Sequence, residues 1–215
     1  QHSKYKTLVT IINDGSTDKT GQILTDITSK NWGGSEICIE IIEQKNKGLS
    51  GARNTALSNI KAKYVMLLDS DDILPENTIS TMLDKAILTD ADILQGSWYS
   101  FDNVEKNETI LEEDGFLPGT CGHLSGYPWG KLYKSSILKH FQFPEGYWFE
   151  DTPVTFILAA LPIKIVSIKD IIYGYRLNPN GITSKSLYNP KSIDSFWITE
   201  LCLQEFPKFD LMYDQ

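Results

Sequence analysis

The sequence has 215 residues, 41% hydrophobic and 22% charged, which is enough for one sizeable domain with a real core. Twenty Lys and Arg against 28 Asp and Glu leave a formal net charge of −8, and no basic block occurs. That balance argues against nucleic acid as a partner, so an anionic ligand must be held by a metal, a few local cations or backbone N–H groups. The three cysteines, Cys38, Cys121 and Cys202, are odd in number and lack metal-type spacing, which argues against a disulfide framework and fits reduced, cytoplasmic thiols. Cys38 lies in an apolar run and reads as a core residue. No signal-peptide pattern and no membrane-spanning apolar run occurs, and peripheral attachment at the inner face of a membrane stays open.

In chain order, Thr7 to Ile12 reads as a strand and Thr20 to Ile27 has helical spacing. Asn31 to Gly34 is a turn, and Ile37 to Ile42 is a β-branched strand. Gln44 to Gly51 reads as a polar loop, followed by a helix over Ala52 to Ile60 with Arg53 and Asn54 in its first turn. Tyr64 to Leu68 is a third strand, Glu76 to Leu88 an amphipathic helix, and Ile93 to Phe101 a further strand. This alternation implies an α/β, Rossmann-like and mainly parallel sheet flanked by helices, with ligands at the carboxyl ends of the strands. The second half is less regular. Asp102 to Gly126 is a polar stretch, Val154 to Leu161 a helix, Ile163 to Ile168 and Ile171 to Tyr175 two strands, and Ile193 to Phe206 a last helix. The reading is a single domain over 1–215, with a nucleotide-binding half (1–101) and an acceptor-side half (102–215).

The run Leu67-Leu68-Asp69-Ser70-Asp71-Asp72 places three carboxylates at the end of a buried strand. Such charges repel each other and resist burial unless something cationic joins them. A divalent ion holding a diphosphate would do so, since hard cations bridge phosphates to carboxylates. An Asp-rich turn with a helix cap is the plainer reading. Asn13-Asp14-Gly15-Ser16-Thr17-Asp18 follows another strand end, where the Asp14 carboxylate could accept the imide N–H of a uracil. Arg53 at a helix start opposes the helix dipole, which points to a partner among the carboxylates or the ligand. Lys45 and Lys47 read as solvated.

These blocks, in order, resemble the family 2 glycosyltransferases of the GT-A fold. The family pattern runs from a strand into D-D-G-S-x-D, then N-x-G-x-x-x-A-R-N, then an apolar strand into D-x-D-D. This chain has Asn13 to Asp18, Asn46 to Asn54, and Asp69 to Asp72. Trp129-Gly130-Lys131-Leu132-Tyr133 and Glu150-Asp151 resemble blocks of that family's bacterial polysaccharide-type members. The resemblance covers roughly residues 5 to 185.

It implies a transferase that moves a sugar, with inversion, from a nucleoside-diphosphate sugar to an acceptor hydroxyl, with UDP as the expected nucleotide. The acceptor class is a glycan or lipid-linked acceptor. By that resemblance Asp14 binds the base, Asp69 the ribose or the metal, and Asp71 the metal, Mn²⁺ or Mg²⁺. Asp72 supports the site and Arg53 belongs to the nucleotide side. Asp151 is the candidate base. Asp151 and Thr152 precede Pro153, so a helix cap is the competing reading for Asp151. Glu150, Lys131, Trp129 and Arg176 are candidate acceptor or diphosphate contacts. Arg176 and Lys185 flank the Asn/Gly/Ser-rich stretch 178–186, which reads either as a lid over the diphosphate or as a loop with surface charges. Tyr147 and Trp148 could stack on sugars or belong to the core. His2, His123 and His140 form no metal pattern.

The family opens with a strand ending in P-x-Y-N and a helix, whereas Gln1-His2-Ser3-Lys4-Tyr5 resembles the segment just after that helix. The resemblance therefore implies a first strand and helix outside this sequence. Two alternatives stay open, a nucleotide-holding module without turnover and a nucleotidyltransferase. No G-x-G-x-x-G follows a strand, which argues against a dinucleotide dehydrogenase.

Overall fold

A computed structural model describes residues 3–29, 36–111, 114–116, 124–179 and 189–211. The turn expected at Asn31–Gly34, Cys121, His2, His123, Lys185 and most of the 178–186 stretch lie outside the described residues. Strand β1 (Thr7–Asp14) runs parallel to β2 (Ile37–Gln44), with helix α1 (Thr20–Ser29) between them in sequence. Helix α2 (Gly48–Ser58) packs on β1 and leads to β3 (Tyr64–Met66). A Cβ at Gly51 would stand 2.3 Å from Lys47 Cβ, so the tight entry into α2 requires glycine. The helix therefore starts at Gly48, four residues before Ala52, and Arg53 sits mid-helix instead of in the first turn. The expected clash of Arg53 with the helix dipole does not arise.

Helix α3 (Thr78–Thr89) leads to β4 (Ile93–Phe101), which turns back into β5 (Lys106–Thr109) as a hairpin. Strands β6 (Asp114–Phe116), β7 (Lys131–Lys134) and β8 (Ile165–Arg176) complete a six-stranded sheet in the order β3-β7-β4-β8-β6, with β5 on β4. The α/β class stands, but the sheet is mixed and not mainly parallel. Among the described residues, parallel pairing occurs in β1–β2 and β4–β8, and the other four ladders are antiparallel. The cause is β7. It arrives from the second half of the chain and inserts antiparallel between β3 and β4, two strands that α3 leaves pointing the same way.

The two strands expected over 163–168 and 171–175 are one strand. The polar Lys169-Asp170 pair marks a bulge, where the β4–β8 register slips between Gly96 and Trp98. The helix expected over Val154 to Leu161 splits into α4 (Thr152–Phe156) and a 3₁₀ turn, Leu158–Ala160. Pro162 forces Leu161 into extended backbone and ends the helix. The last helix, α5 (Asp194–Glu205), is followed by a 3₁₀ turn, Phe206–Phe209. No helix among the described residues is long and apolar enough to cross a membrane.

Side chains alternate across the six-stranded sheet, as the period of two in a strand requires. Ile93, Tyr133 and Ile165 face a core closed by Val154, Leu158, Ile198 and Cys202 from α4, its 3₁₀ turn and α5. Their neighbours Leu94, Leu132 and Val166 face a second core, which holds Met82 and Ala86 of α3. Cys202 is buried, but Cys38 is exposed rather than in the core. Its strand lies in the separate β1–β2 pair, of which only part is covered.

The turn after β3 is docked on β8 by two backbone bonds, Ile73 N–H to Gly174 O at 3.0 Å and Gly174 N–H to Ile73 O at 2.9 Å. A Cβ at Gly174 would stand 2.7 Å from the Tyr99 ring and 2.8 Å from Ile73 Cγ1. We expect Gly174→Ala to destabilise the fold by about 1–3 kcal/mol, the usual cost of overpacking, read as a lower urea midpoint with an unchanged slope.

Candidate active site

Arg53 is the centre of the site. It is 7% exposed. One guanidinium nitrogen, Nη2, donates to Asp69 Oδ1 at 2.8 Å, and Nη1 donates to Glu150 Oε1 at 3.0 Å. The Phe143 ring lies beneath it, with its centroid 5.2 Å from Cζ. Burial works against the charge, but the Asp69 and Glu150 carboxylates outweigh it and hold the guanidinium protonated. A cation on α2 thus holds one carboxylate from each half of the chain.

The acidic turn after β3 is a hydrogen-bonded unit. Asp72 Oδ2 accepts from Tyr173 Oη at 2.7 Å, and Oδ1 accepts from Arg176 N–H at 2.7 Å. The same Tyr173 oxygen accepts from Asp69 N–H at 3.2 Å. Arg176 Nε donates to the Asp71 carbonyl at 2.7 Å, and its Cζ stacks 4.6 Å from the Phe101 ring centroid. Burial raises the Asp72 pKa, the bonds from Arg176 and Tyr173 oppose it, and the charges of Asp71 and Asp69 add to it.

These bonds decide which oxygens are open to a cation. Both Asp72 oxygens and one Asp69 oxygen serve protein donors, while Asp71 is exposed. No cluster of three or more His, Cys, Asp or Glu suited to a metal occurs among the described residues. A single open carboxylate suits Mg²⁺, which takes one or two carboxylates and fills its shell with phosphate oxygens and water. The donor set fits an ion that arrives with a diphosphate, not a resident all-protein site.

Asp14 stands at the end of β1. Its Oδ1 accepts from Gln44 Nε2 at 2.6 Å and from Lys47 N–H at 2.8 Å. Gln44 Oε1 in turn accepts from Thr55 Oγ1 at 2.6 Å, so Asp14 is tied to α2, which carries Arg53. Asp151 follows Glu150 and is half-buried. Burial raises its pKa first and the Glu150 charge second, while Arg53 and Lys131 pull it down.

Two of the candidate acceptor contacts lie inside the fold. The Lys131 ammonium is buried and donates to Ser125 Oγ and to the carbonyls of Tyr127 and Trp129. Burial lowers its pKa to about 7, against the pull of Asp151. Trp129 is 6% exposed and stacks on Tyr127, Tyr173 and Tyr175, with centroids 4.5, 4.7 and 5.3 Å away. Both residues shape the 125–130 segment from within. Arg176 lies on the acidic turn, and His140 is exposed on the surface. Ion pairs and hydrogen bonds join Arg53, Asp69 and Glu150 in one set and Asp71, Asp72, Tyr173 and Arg176 in another, and the bond from Asp69 N–H to Tyr173 Oη links the two. None is described between Asp14 and either set.

Sequence reading misses Tyr173 and Gln44. Tyr173 sits in an apolar strand, where nothing local signals that its hydroxyl reaches a turn 101 residues away. Gln44 reads in the sequence only as the first residue of a polar loop.

The chain belongs to Glycosyl transferase family 2, whose pattern matches residues 1–144. It is 30% identical over 201 residues to glycosyltransferase GlyA of Streptococcus pneumoniae serotype 4, covering 83% of this chain and 28% of that protein. It is 27% identical over 192 residues to glycosyltransferase GlyG of the same organism, covering 81% of this chain and 62% of that protein. The chain thus spans less than two thirds of the length of either relative. The fold is that of Staphylococcus aureus TarS 1–349, solved in complex with UDP-GlcNAc, at a TM-score of 0.76 and 21% identity. That match covers 96% of this chain and 59% of the TarS chain.

Removing Arg53 leaves two partly buried carboxylates without their cation. We expect Arg53→Ala to cost about 3–5 kcal/mol, the usual penalty for breaking a buried pair, measured by urea unfolding. Arg53→Ala combined with Glu150→Gln should recover part of that loss, because one of the orphaned charges is gone.

Proposed function

We propose that this domain transfers a sugar, with inversion, from a UDP-sugar to the hydroxyl of a glycan or lipid-linked acceptor in the synthesis of a cell-surface polysaccharide. The observation that carries the reading is the Asp69–Arg53–Glu150 bridge. It ties the acidic turn that would receive the diphosphate to the residue next to Asp151. UDP as the nucleotide is supported by the TarS complexes with UDP-GlcNAc and UDP. Residues 1–215 act as one domain in this reading, at the cytoplasmic face of the cell, with peripheral membrane attachment where the acceptor is lipid-linked.

Asp14 accepts the uracil imide N–H, and Asp69 orients the ribose. Arg176, held on the Asp71–Asp72 turn, lies near the diphosphate. Asp71, with Asp69 beside it, would hold Mn²⁺ or Mg²⁺, which supplies Lewis-acid stabilisation of the leaving diphosphate. Asp151 takes the proton from the acceptor hydroxyl as that oxygen bonds to the anomeric carbon from the face opposite the leaving group. The bond from the anomeric carbon to the phosphate oxygen breaks with its electron pair going to UDP, so one displacement inverts the centre. Lys131 and Trp129 shape the acceptor side by fixing the 125–130 segment, and Glu150 orients Asp151 through Arg53.

The test is thermal stability with UDP, GDP, CDP and dTDP, each with and without Mn²⁺. UDP with Mn²⁺ at about 100 times its Kd should stabilise by roughly 2.7 kcal/mol, and Asp71→Ala should abolish the metal-dependent part. A shift with another nucleotide alone, or none at all, overturns the donor assignment. Asp151→Asn should keep UDP binding and lose transfer by at least about a hundredfold, the usual contribution of a general base.

Asp151 must be ionised to act. Because its pKa is raised by burial and by Glu150, transfer should be lost as the pH falls through a value above the ordinary carboxylate range. Glu150→Gln removes the like charge, so the acid limb of the pH–rate profile should move to lower pH.

A further inference from the structure

The segment that carries Glu150 and Asp151 is held in an unfavourable backbone conformation. Phe149 has a φ of +61°, in the left-handed region that a bulky side chain disfavours. The turn closes with a bond from Thr152 N–H to Phe149 O at 3.0 Å. Such a conformation persists only where the surroundings over-determine it.

The residues on either side of Phe149 are each gripped by a charged group from a distant element. Glu150 is held by Arg53 of α2. On the other side, Trp148 N–H donates to Asp194 Oδ2 at 2.8 Å. Asp194 opens α5 and is only 8% exposed. The Lys191 ammonium, three residues earlier, lies 5.6 Å from the Trp148 ring centroid. A carboxylate that served only the dipole of its own helix would need neither this burial nor this bond. Its described hydrogen bond leaves the helix for the backbone beside the strained residue.

We propose that Asp194 is a positioning residue for Asp151, holding the left-handed turn at Phe149 from one side while Arg53 holds it from the other. The proposal rests on the reading of Asp151 as the base, and it adds a third carboxylate that acts without touching the reacting atoms. Sequence order hides it. Residues 148 and 194 are 46 positions apart, and Asp194 reads locally as a helix start.

The experiment observes Asp151 directly, by carbon-13 NMR titration of carboxyl-labelled aspartates in the full chain. The charged groups that act on Asp151 are Glu150, Arg53 and Lys131. Wild type should titrate Asp151 above the ordinary carboxylate range. Asp194→Ala frees the turn, exposes Asp151 and should bring its midpoint down toward the ordinary value. Asp194→Asn still offers an acceptor to Trp148 N–H and should restore the wild-type midpoint. In turnover of UDP-GlcNAc, measured as UDP release, Asp194→Ala should lower kcat at least tenfold with KM for UDP-GlcNAc changed by less than twofold.

An unaltered Asp151 midpoint in Asp194→Ala overturns the proposal. If that variant fails to fold, Asp194→Glu replaces it. Its longer arm displaces Trp148, so a wild-type midpoint there overturns the proposal in the same way. Failure of the base reading looks different, since Asp151→Asn would then retain turnover whatever the titrations show.

Discussion

A buried guanidinium sets the geometry of this domain. Arg53 is almost fully removed from water, and a charge in that position persists only with partners. Its two partners come from opposite halves of the chain, Asp69 from the turn after β3 and Glu150 from the segment before α4. A carboxylate cannot drift from a buried cation without a large loss of energy. The turn after β3 and the segment before α4 are therefore fixed relative to one another. The Phe143 ring lies against the guanidinium.

The rest of the site is arranged around that bridge by the mixed sheet. Strand β8 carries Tyr173 and Arg176 to the acidic turn, where they satisfy Asp72. Strand β7 brings in Lys131, whose buried ammonium gathers two carbonyls and a hydroxyl of the 125–130 segment. Trp129, on that segment, stacks on Tyr127 and Tyr173, so an aromatic column connects the 125–130 segment to the acidic turn. Most of the acids near the site are thus already committed to protein donors. Asp71 is the exposed one.

The motifs themselves were legible in the sequence, because each is local. Carboxylates at a strand end, a Gly-rich run before Ala-Arg-Asn, and Glu-Asp before Thr-Pro are patterns of neighbours. The class of fold was legible from the alternation of strand and helix in the first hundred residues. The start of α2 was not, since Gly48 and Gly51 read as loop residues until the packing of Lys47 shows why glycine is needed there. The mixed sheet was not legible either. Nothing in Lys131–Lys134 says that this short strand inserts between β3 and β4.

The sequence by itself determined which residues are candidates for the chemistry, Asp14, Arg53, Asp69, Asp71 and Asp151, and the order in which they come. It also determined the lack of any basic block for an anion, because charge and composition need no coordinates. Only the tertiary structure decided how those residues are paired. Arg53 takes Asp69 and Glu150, Asp72 takes Tyr173 and Arg176, and Lys131 is buried behind the site. Asp194 grips the backbone at Trp148. Most of these pairings join residues that lie far apart in sequence, and the selection among possible partners is made by burial. A charge taken out of water must find whichever opposite group the fold has carried to it.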